Sequence, residues 1–190
     1  MKSQKKSEKG FSLIEVIFAI VILTVGVLAM VSVLTASLVN SYESEKRIIA
    51  KQIALSTVES IMSAKEINRI DVIAGWNSIR NVQGIPDPLT GIFLNDWKPI
   101  REENGWDGIA GTVDDACDAP GVCAVSGRTT NTSQIIKNYE RRIVITDVPD
   151  SERPTPPNPI TRRRIDVTVR FFSNRVIREE TISTIIANYK

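Results

Sequence analysis

The chain has 190 residues, enough for one domain of ordinary size plus an appendage. Its 24 basic and 22 acidic side chains give a formal charge of +2, a balance that does not predict nucleic-acid binding through bulk charge. Histidine is absent, which removes the commonest general base and metal ligand near neutral pH, and no GxSxG, P-loop or dinucleotide fingerprint occurs, so nothing points to an enzyme.

Taken from the N-terminus, the charge is uneven. Lys2, Lys5, Lys6 and Lys9 face only Glu8, and without the first ten residues the chain holds 20 basic and 21 acidic side chains. Behind this cationic prefix, Val16–Tyr42 runs for 27 residues without a charge, where spanning a bilayer takes about 20. The pattern predicts a transmembrane helix over 11–40, with the lysine end cytoplasmic and the rest of the chain facing outward. A secretory signal peptide has an apolar core of only about 7 to 15 residues, so the run is too long for one. Glu15 sits at its lip. A carboxylate there is favoured by the helix dipole, but in hydrocarbon it costs about 2.5 to 3.5 kcal/mol at the bilayer centre and less near the interface, so it is expected to find a partner. Thr24, Gly26, Ser32, Thr35 and Ser37 read as small residues tolerated within the span.

Gly10, then Phe11-Ser12-Leu13-Ile14-Glu15, then an unbroken apolar helix resembles the class III leader of type IV pilins and of the pseudopilins of type II secretion. The resemblance covers Lys9 to about Ile67. It implies cleavage between Gly10 and Phe11 by a prepilin peptidase, N-methylation of Phe11, and retention of the apolar helix in the mature protein. It also implies that Glu15 pairs with the N-terminal amine of a neighbouring subunit and so sets the register of assembly. Glycine suits the cleavage position because it leaves an unobstructed extended backbone. The implied partners are other pilins or pseudopilins, the peptidase, the inner-membrane assembly platform and membrane lipid, with no nucleic acid. The implied location is the bacterial inner membrane, single-pass, with a periplasmic C-terminal domain, and then the filament. Within the family, "GFSLIEV", the helix ending "ALSTVESIMSAKE" and the lack of a terminal disulfide loop resemble the pilus-modification (PilV-type) minor pilins. The expected function is therefore a structural minor pilin. The alternatives are a minor pseudopilin of the I or J kind, or an anchored periplasmic binding domain that never polymerises.

From Ser41 to Arg69 the sequence keeps helix formers without Pro or Gly but becomes amphipathic. Ile49, Ile53, Ser56, Ser60 and Ala64 form one stripe, and Ala50, Ala54, Thr57, Ile61 and Ala64 form its neighbour. With no proline before Pro86, one helix from about Ser12 to Ile67 is predicted, on the order of 80 Å long at 1.5 Å per residue. Its half over 41–69 is the part expected to rest on an outward domain over 70–190.

That domain begins irregularly. Gly and Pro recur from Asp71 to about Lys137, which reads as loop-rich with short helix or strand pieces, including a short helix in "IDVIAGWNSI". Trp76, Trp97 and Trp106 read as core or cover residues. Strands are predicted over Tyr139–Val148, Thr161–Phe172 and Arg175 to about Ala187, giving a small antiparallel sheet and an α+β, pilin-like fold. In the second strand Ile165, Val167, Val169 and Phe171 share the buried face. Arg162 and Arg164 fall on the solvated face, where Asp166, Glu179 and Glu180 offset them, so this basic run is not read as a phosphate site. "PDSERPTPPNP", holding five of the nine prolines, is expected to be an exposed extended loop.

Cys117 and Cys123, placed outside the cytoplasm, are expected to form a disulfide. It would stabilise by roughly 2 to 2.5 kcal/mol in the chain-entropy view. Asp107, Asp114, Asp115 and Asp118 lie in one glycine-rich stretch and are the calcium candidates. Their spacing matches no EF-hand, a solvated turn accounts for them equally, and no other cofactor is expected.

Overall fold

The computed structural model describes Gly10 and residues 12–66, 75–82, 91–105, 107–112, 115, 133–173 and 176–188. Phe11, Trp106, Asp114, Cys117, Asp118 and Cys123 lie outside the described residues. The chain forms two compact units, with the boundary after Ser44.

The apolar and amphipathic stretches join in one helix, α1, Leu13–Glu66. Its N-terminal part belongs to the first unit and keeps its large apolar side chains, Leu13 through Val39, open to the surroundings. In the second unit the helix buries Ala50, Ala54, Thr57, Val58, Ile61 and Ala64. The core face is thus the second of the two expected stripes. Of the first, Ile49 and Ile53 are only half-buried and Ser56 is exposed. Alanine at three of the six positions lets the helix backbone come close to what it packs on, because Ala carries no side chain beyond Cβ.

What it packs on is a sheet with strands β1 (Lys98–Arg101), β2 (Ile135–Val148), β3 (Arg162–Ser173) and β4 (Val176–Ala187). They run in the order β1-β2-β3-β4, each antiparallel to the next. Strong alternation makes β3 the central element, since Ile165, Val167, Val169 and Phe171 are all 0 % exposed and join Ile143 of β2 beneath the helix. A side-chain period of two leaves the opposite face polar. There Thr168 and Thr181 share a hydrogen bond across β3 and β4 at 2.9 Å, and Arg170 pairs with Glu140. The helix is tied to β4 and the end of β3 by charge. Arg47 and Lys51 both reach Glu180, at 2.8 and 3.8 Å, and Lys46 donates to the Phe172 carbonyl.

Two expectations need correction. β2 starts four residues earlier than expected. The non-glycine Asn138 takes φ +71°, and the β1–β2 register shifts between the Pro99–Glu140 and Arg101–Ile135 pairs. A bulge of this kind breaks the alternation that would have revealed the strand. β1 falls in the stretch where short helix or strand pieces are expected but not located, because four residues containing Pro99 carry no periodicity, and proline is confined to sheet edges, where β1 lies. The proline-rich loop is exposed over 151–157 but is not extended. Asp150 and Arg153 form a bridge, turns follow, and Asp150 itself is buried and paired with Arg162 at 3.3 Å. Arg163, to which the sequence reading assigns no face, lies between the two arginines of the solvated face. It points into the core and is 0 % exposed.

Arg163 is accommodated because its Nε and Nη1 groups are hydrogen-bonded. Nε donates to Asp147 at 2.9 Å, and the head donates to the carbonyls of Trp76 and Ile79. The predicted short helix is a 3-10 turn, Trp76–Ser78, and it supplies one of these carbonyls and the stacking ring. Burial pushes the Arg163 guanidinium below its ordinary pKa, against the pull of the Asp147 hydrogen bond. Trp97 is also a cover residue, flanked by the guanidiniums of Arg170 and Arg142 at 4.4 and 5.1 Å from its ring centre.

Candidate functional site

The motif expected to carry function is at the start of α1. Gly10 is exposed, and a Cβ there would meet nothing within 4 Å, so the backbone at this position is open on all sides. The helix begins just behind it. The Ser12 carbonyl accepts from the Glu15 and Val16 amides at 3.0 and 3.3 Å, which places Glu15 in the first turn. A helix leaves its first amides without intrahelical acceptors, and their partial positive charge favours a carboxylate there. Glu15 is exposed and lies beside the equally exposed Leu13, Ile14, Val16 and Ile17. Glu15 therefore lies at the N-terminal end of α1.

The rod that follows has an 18-residue window of mean hydropathy 2.9, none of it buried within the protein. In water such a surface would be a severe liability, since monomeric soluble proteins rarely expose contiguous apolar patches beyond a few hundred Å². Three of the hydroxyl side chains inside the span are satisfied by the helix itself. Thr24 donates to Val21 O at 2.8 Å, Ser32 to Ala29 O at 2.9 Å and Leu28 O at 3.1 Å, and Thr35 to Val31 O at 2.9 Å. Hydroxyls met in this way suit lipid or the apolar side of another helix, where an unmet polar group costs several kcal/mol.

The other candidates divide. Phe11, the expected methylation position, and the cysteine pair Cys117 and Cys123 lie outside the described residues, as do Asp114 and Asp118. Asp107 closes a turn by accepting from the Ile109 amide at 2.7 Å. Asp115 has a different role. Its carboxylate accepts from the Gly105 amide at 2.7 Å, from the Gly111 amide, and from the Arg141 guanidinium at 2.9 Å, and both charged side chains are about nine-tenths buried. Arg141 in turn donates to Thr57 of α1 at 3.1 Å. Burial lowers the Arg141 pKa, and the contact with Asp115 opposes that shift. Asp115 thus fastens the loop to β2 and α1. Among the described residues, no group of three metal-ligating side chains is placed to hold an ion. Sequence reading missed the buried pairs of Arg141 and Arg163, because the partners lie 26 and 16 residues away and no local pattern joins them.

A family model described as the prokaryotic N-terminal methylation motif matches residues 5–31, which takes in the cationic prefix, Gly10, Phe11, Glu15 and the first half of the apolar span. No curated protein and no solved structure matches the chain.

Proposed function

From a chain that carries the class III leader and helix start of a type IV pilin-like prepilin, we propose that this protein is a minor pilin of the pilus-modification kind, a structural subunit and not a catalyst. Prepilin peptidase cuts between Gly10 and Phe11, the new amine on Phe11 is methylated, and the subunit waits in the inner membrane with its second unit in the periplasm. It then joins a filament through the first half of α1. The cut leaves a cationic amine at the start of the rod, one helical turn before Glu15. The amine of one subunit and the carboxylate of the next are opposite charges in an apolar setting, where each lowers the cost of burying the other. Cys117 and Cys123 close a small disulfide loop in the oxidising periplasm.

One observation carries this reading. Behind Gly10 and Phe11 lies a helix whose N-terminal part keeps its apolar side chains exposed and carries Glu15 in its first turn. Membrane anchoring accounts for the apolar surface, and pairing between subunits accounts for the acid. The test is the N-terminus of the protein purified from membranes of cells with an active prepilin peptidase. Terminal sequencing and intact mass should give residues 11–190 with one added methyl group. A chain that keeps Met1 in such cells is a plain membrane anchor, and the proposal is then wrong.

A further inference from the structure

Outside α1, five large apolar side chains among the described residues are between 37 and 61 % exposed: Ile135, Phe172, Val176, Ile177 and Ile185. Four of them lie at one end of the sheet. Phe172 pairs with Ile177 across β3 and β4, and Val176 pairs with Ser173 one step further on. Tyr139 pairs with Phe171, so the start of β2, with Ile135, runs out past the same end. Ile185 stands apart, opposite Arg164 near the other end of the sheet. Single exposed apolar residues need no explanation, but a cluster at one end points to a contact surface.

The position of that end along α1 identifies what it meets. Within the second unit β3 runs antiparallel to the helix. At the far end, Gly75 donates to the Ala64 carbonyl, and Arg163 at the start of β3 donates to the Trp76 carbonyl. At the near end, Lys46 donates to the Phe172 carbonyl at 2.7 Å, and Arg47 reaches Glu180 at 2.8 Å. The exposed cluster therefore sits where α1 enters the second unit, whose first residue is Glu45. Lys46 is four residues beyond Tyr42, the last residue of the uncharged run, a rise of about 6 Å at 1.5 Å per residue. The polar layer on each side of a bilayer is itself about 5 to 8 Å deep. A membrane holding Val16–Tyr42 thus brings its headgroup layer within reach of the cluster.

We propose that the Phe172, Val176 and Ile177 end of the sheet is a lipid-contact site, lodged in the interface of the bilayer that holds α1, with Ile135 at its margin. The proposal rests on the membrane-anchor part of the reading above and uses neither the processing step nor Glu15. Phe, Val and Ile side chains gain by leaving water there, and the hydrogen bond from Lys46 keeps the end of β3 beside the helix. Lipid is the fitting partner because it surrounds the span of every subunit before any second copy arrives. The contact gives the second unit a hold on the bilayer besides its covalent link to the span, and this hold is released when the subunit leaves the membrane.

The test is tryptophan fluorescence of the full-length protein, one copy per nanodisc, in phosphatidylcholine with and without bromine near the glycerol end of the acyl chains. Ile177→Trp adds an emitter within the cluster. Ile185→Trp adds one eight residues along the same strand, about 26 Å away at 3.3 Å per residue. Both positions are exposed, so the substitutions leave the core alone. Wild-type emission in the same discs is subtracted to remove Trp76, Trp97 and Trp106. The emission added at 177 should be lost in brominated lipid, and the emission added at 185 should persist. Equal quenching at the two positions overturns the proposal, because contact is then not confined to one end. Emission at 177 that is unquenched, and shifts to the blue only with two copies per disc, assigns the end to a second copy and overturns the lipid assignment. Entry of the wild type into the discs checks the anchor separately. Failure to enter overturns the anchor and this proposal together, whereas entry without quenching at 177 overturns this proposal alone.

Discussion

The guanidinium carbon of Arg163 lies 4.3 Å from the ring centre of Trp76, and the same guanidinium donates to the Trp76 carbonyl. One arginine thus holds both the ring and the backbone of the turn between α1 and the sheet, from a position on the core face of the central strand. The ring is fixed from its other side as well, because its Nε1 donates to Ile160 O at 3.0 Å. Three neighbouring arginines have three different roles. Arg162 pairs with the buried Asp150, Arg163 fills the core, and Arg164 lies 54 % exposed beside Asp166.

Replacing these residues separates the roles. Arg163→Ala leaves the Trp76 and Ile79 carbonyls without their donor and opens a void among 0 %-exposed side chains. It should destabilise the protein by about 3 to 5 kcal/mol. Arg163→Lys keeps the charge but not the planar fork, so it should recover only part of the loss. Arg164→Ala breaks an exposed pair and should change stability by less than about 0.5 kcal/mol. Denaturant titration of the three variants followed by tryptophan fluorescence checks the order. Equal effects at 163 and 164 would show that the inward face of β3 has been misplaced.

Asp115 and Arg141 support a second prediction. Each is nearly desolvated, and each is the other's ion-pair partner. Asp115→Ala strands the guanidinium of Arg141 and removes the acceptor for the Gly105 and Gly111 amides. The cost should be about 3 to 5 kcal/mol. The double replacement Asp115→Leu with Arg141→Met removes both charges together and should be less destabilised than Asp115→Ala. If the double variant is the weaker of the two by chemical denaturation, the pair is not the source of the loss.

Gly91 is required for space and not for an unusual backbone angle. A Cβ there would lie 1.8 Å from the carbonyl oxygen of Arg80. That carbonyl cannot easily move, since it accepts from the Phe93 amide at 3.1 Å, and Phe93 is a fully buried core residue. Gly91→Ala should therefore cost about 2 to 3 kcal/mol in thermal or denaturant unfolding. A variant as stable as the wild type would mean that the 80–93 contact is loose in solution.

Local patterns revealed most of the architecture. An uncharged run and an amphipathic continuation without proline gave one helix within a residue of its observed ends, Leu13–Glu66. Alternation at Ile165, Val167, Val169 and Phe171 gave the central strand and its buried face. The same alternation, extended by one step to residue 163, puts an arginine in the core. What defeated sequence reading was pairing over distance. Arg163 is acceptable only because the carbonyls of Trp76 and Ile79, 87 and 84 residues away, arrive at its head. β1 could not be seen because a four-residue edge strand draws its definition from β2. At the N-terminus the opposite holds, since Gly10 and Glu15 lie within two turns of each other and need no tertiary partner to be recognised.

Glu15 supports the last prediction, and it tests assembly apart from folding. The residue is exposed in the first turn of α1. Glu15→Ala and Glu15→Gln should therefore leave helix formation and membrane insertion intact, and both should slightly favour the membrane by removing a charge. If the carboxylate pairs with the Phe11 amine of a neighbour, each variant loses a charge-assisted contact in an apolar setting and leaves that amine unpaired. Losing one partner of a buried charged pair costs about 2 to 5 kcal/mol, or more than tenfold in association. Membrane-fractionated levels should match the wild type while the amount in sheared filaments falls at least tenfold. Glutamine decides the mechanism, because it keeps the size and hydrogen-bonding reach of Glu15 and lacks only its charge. If Glu15→Gln enters filaments as well as the wild type while Glu15→Ala does not, shape and not charge sets the register. If both enter normally, Glu15 is no more than a helix-terminal acid.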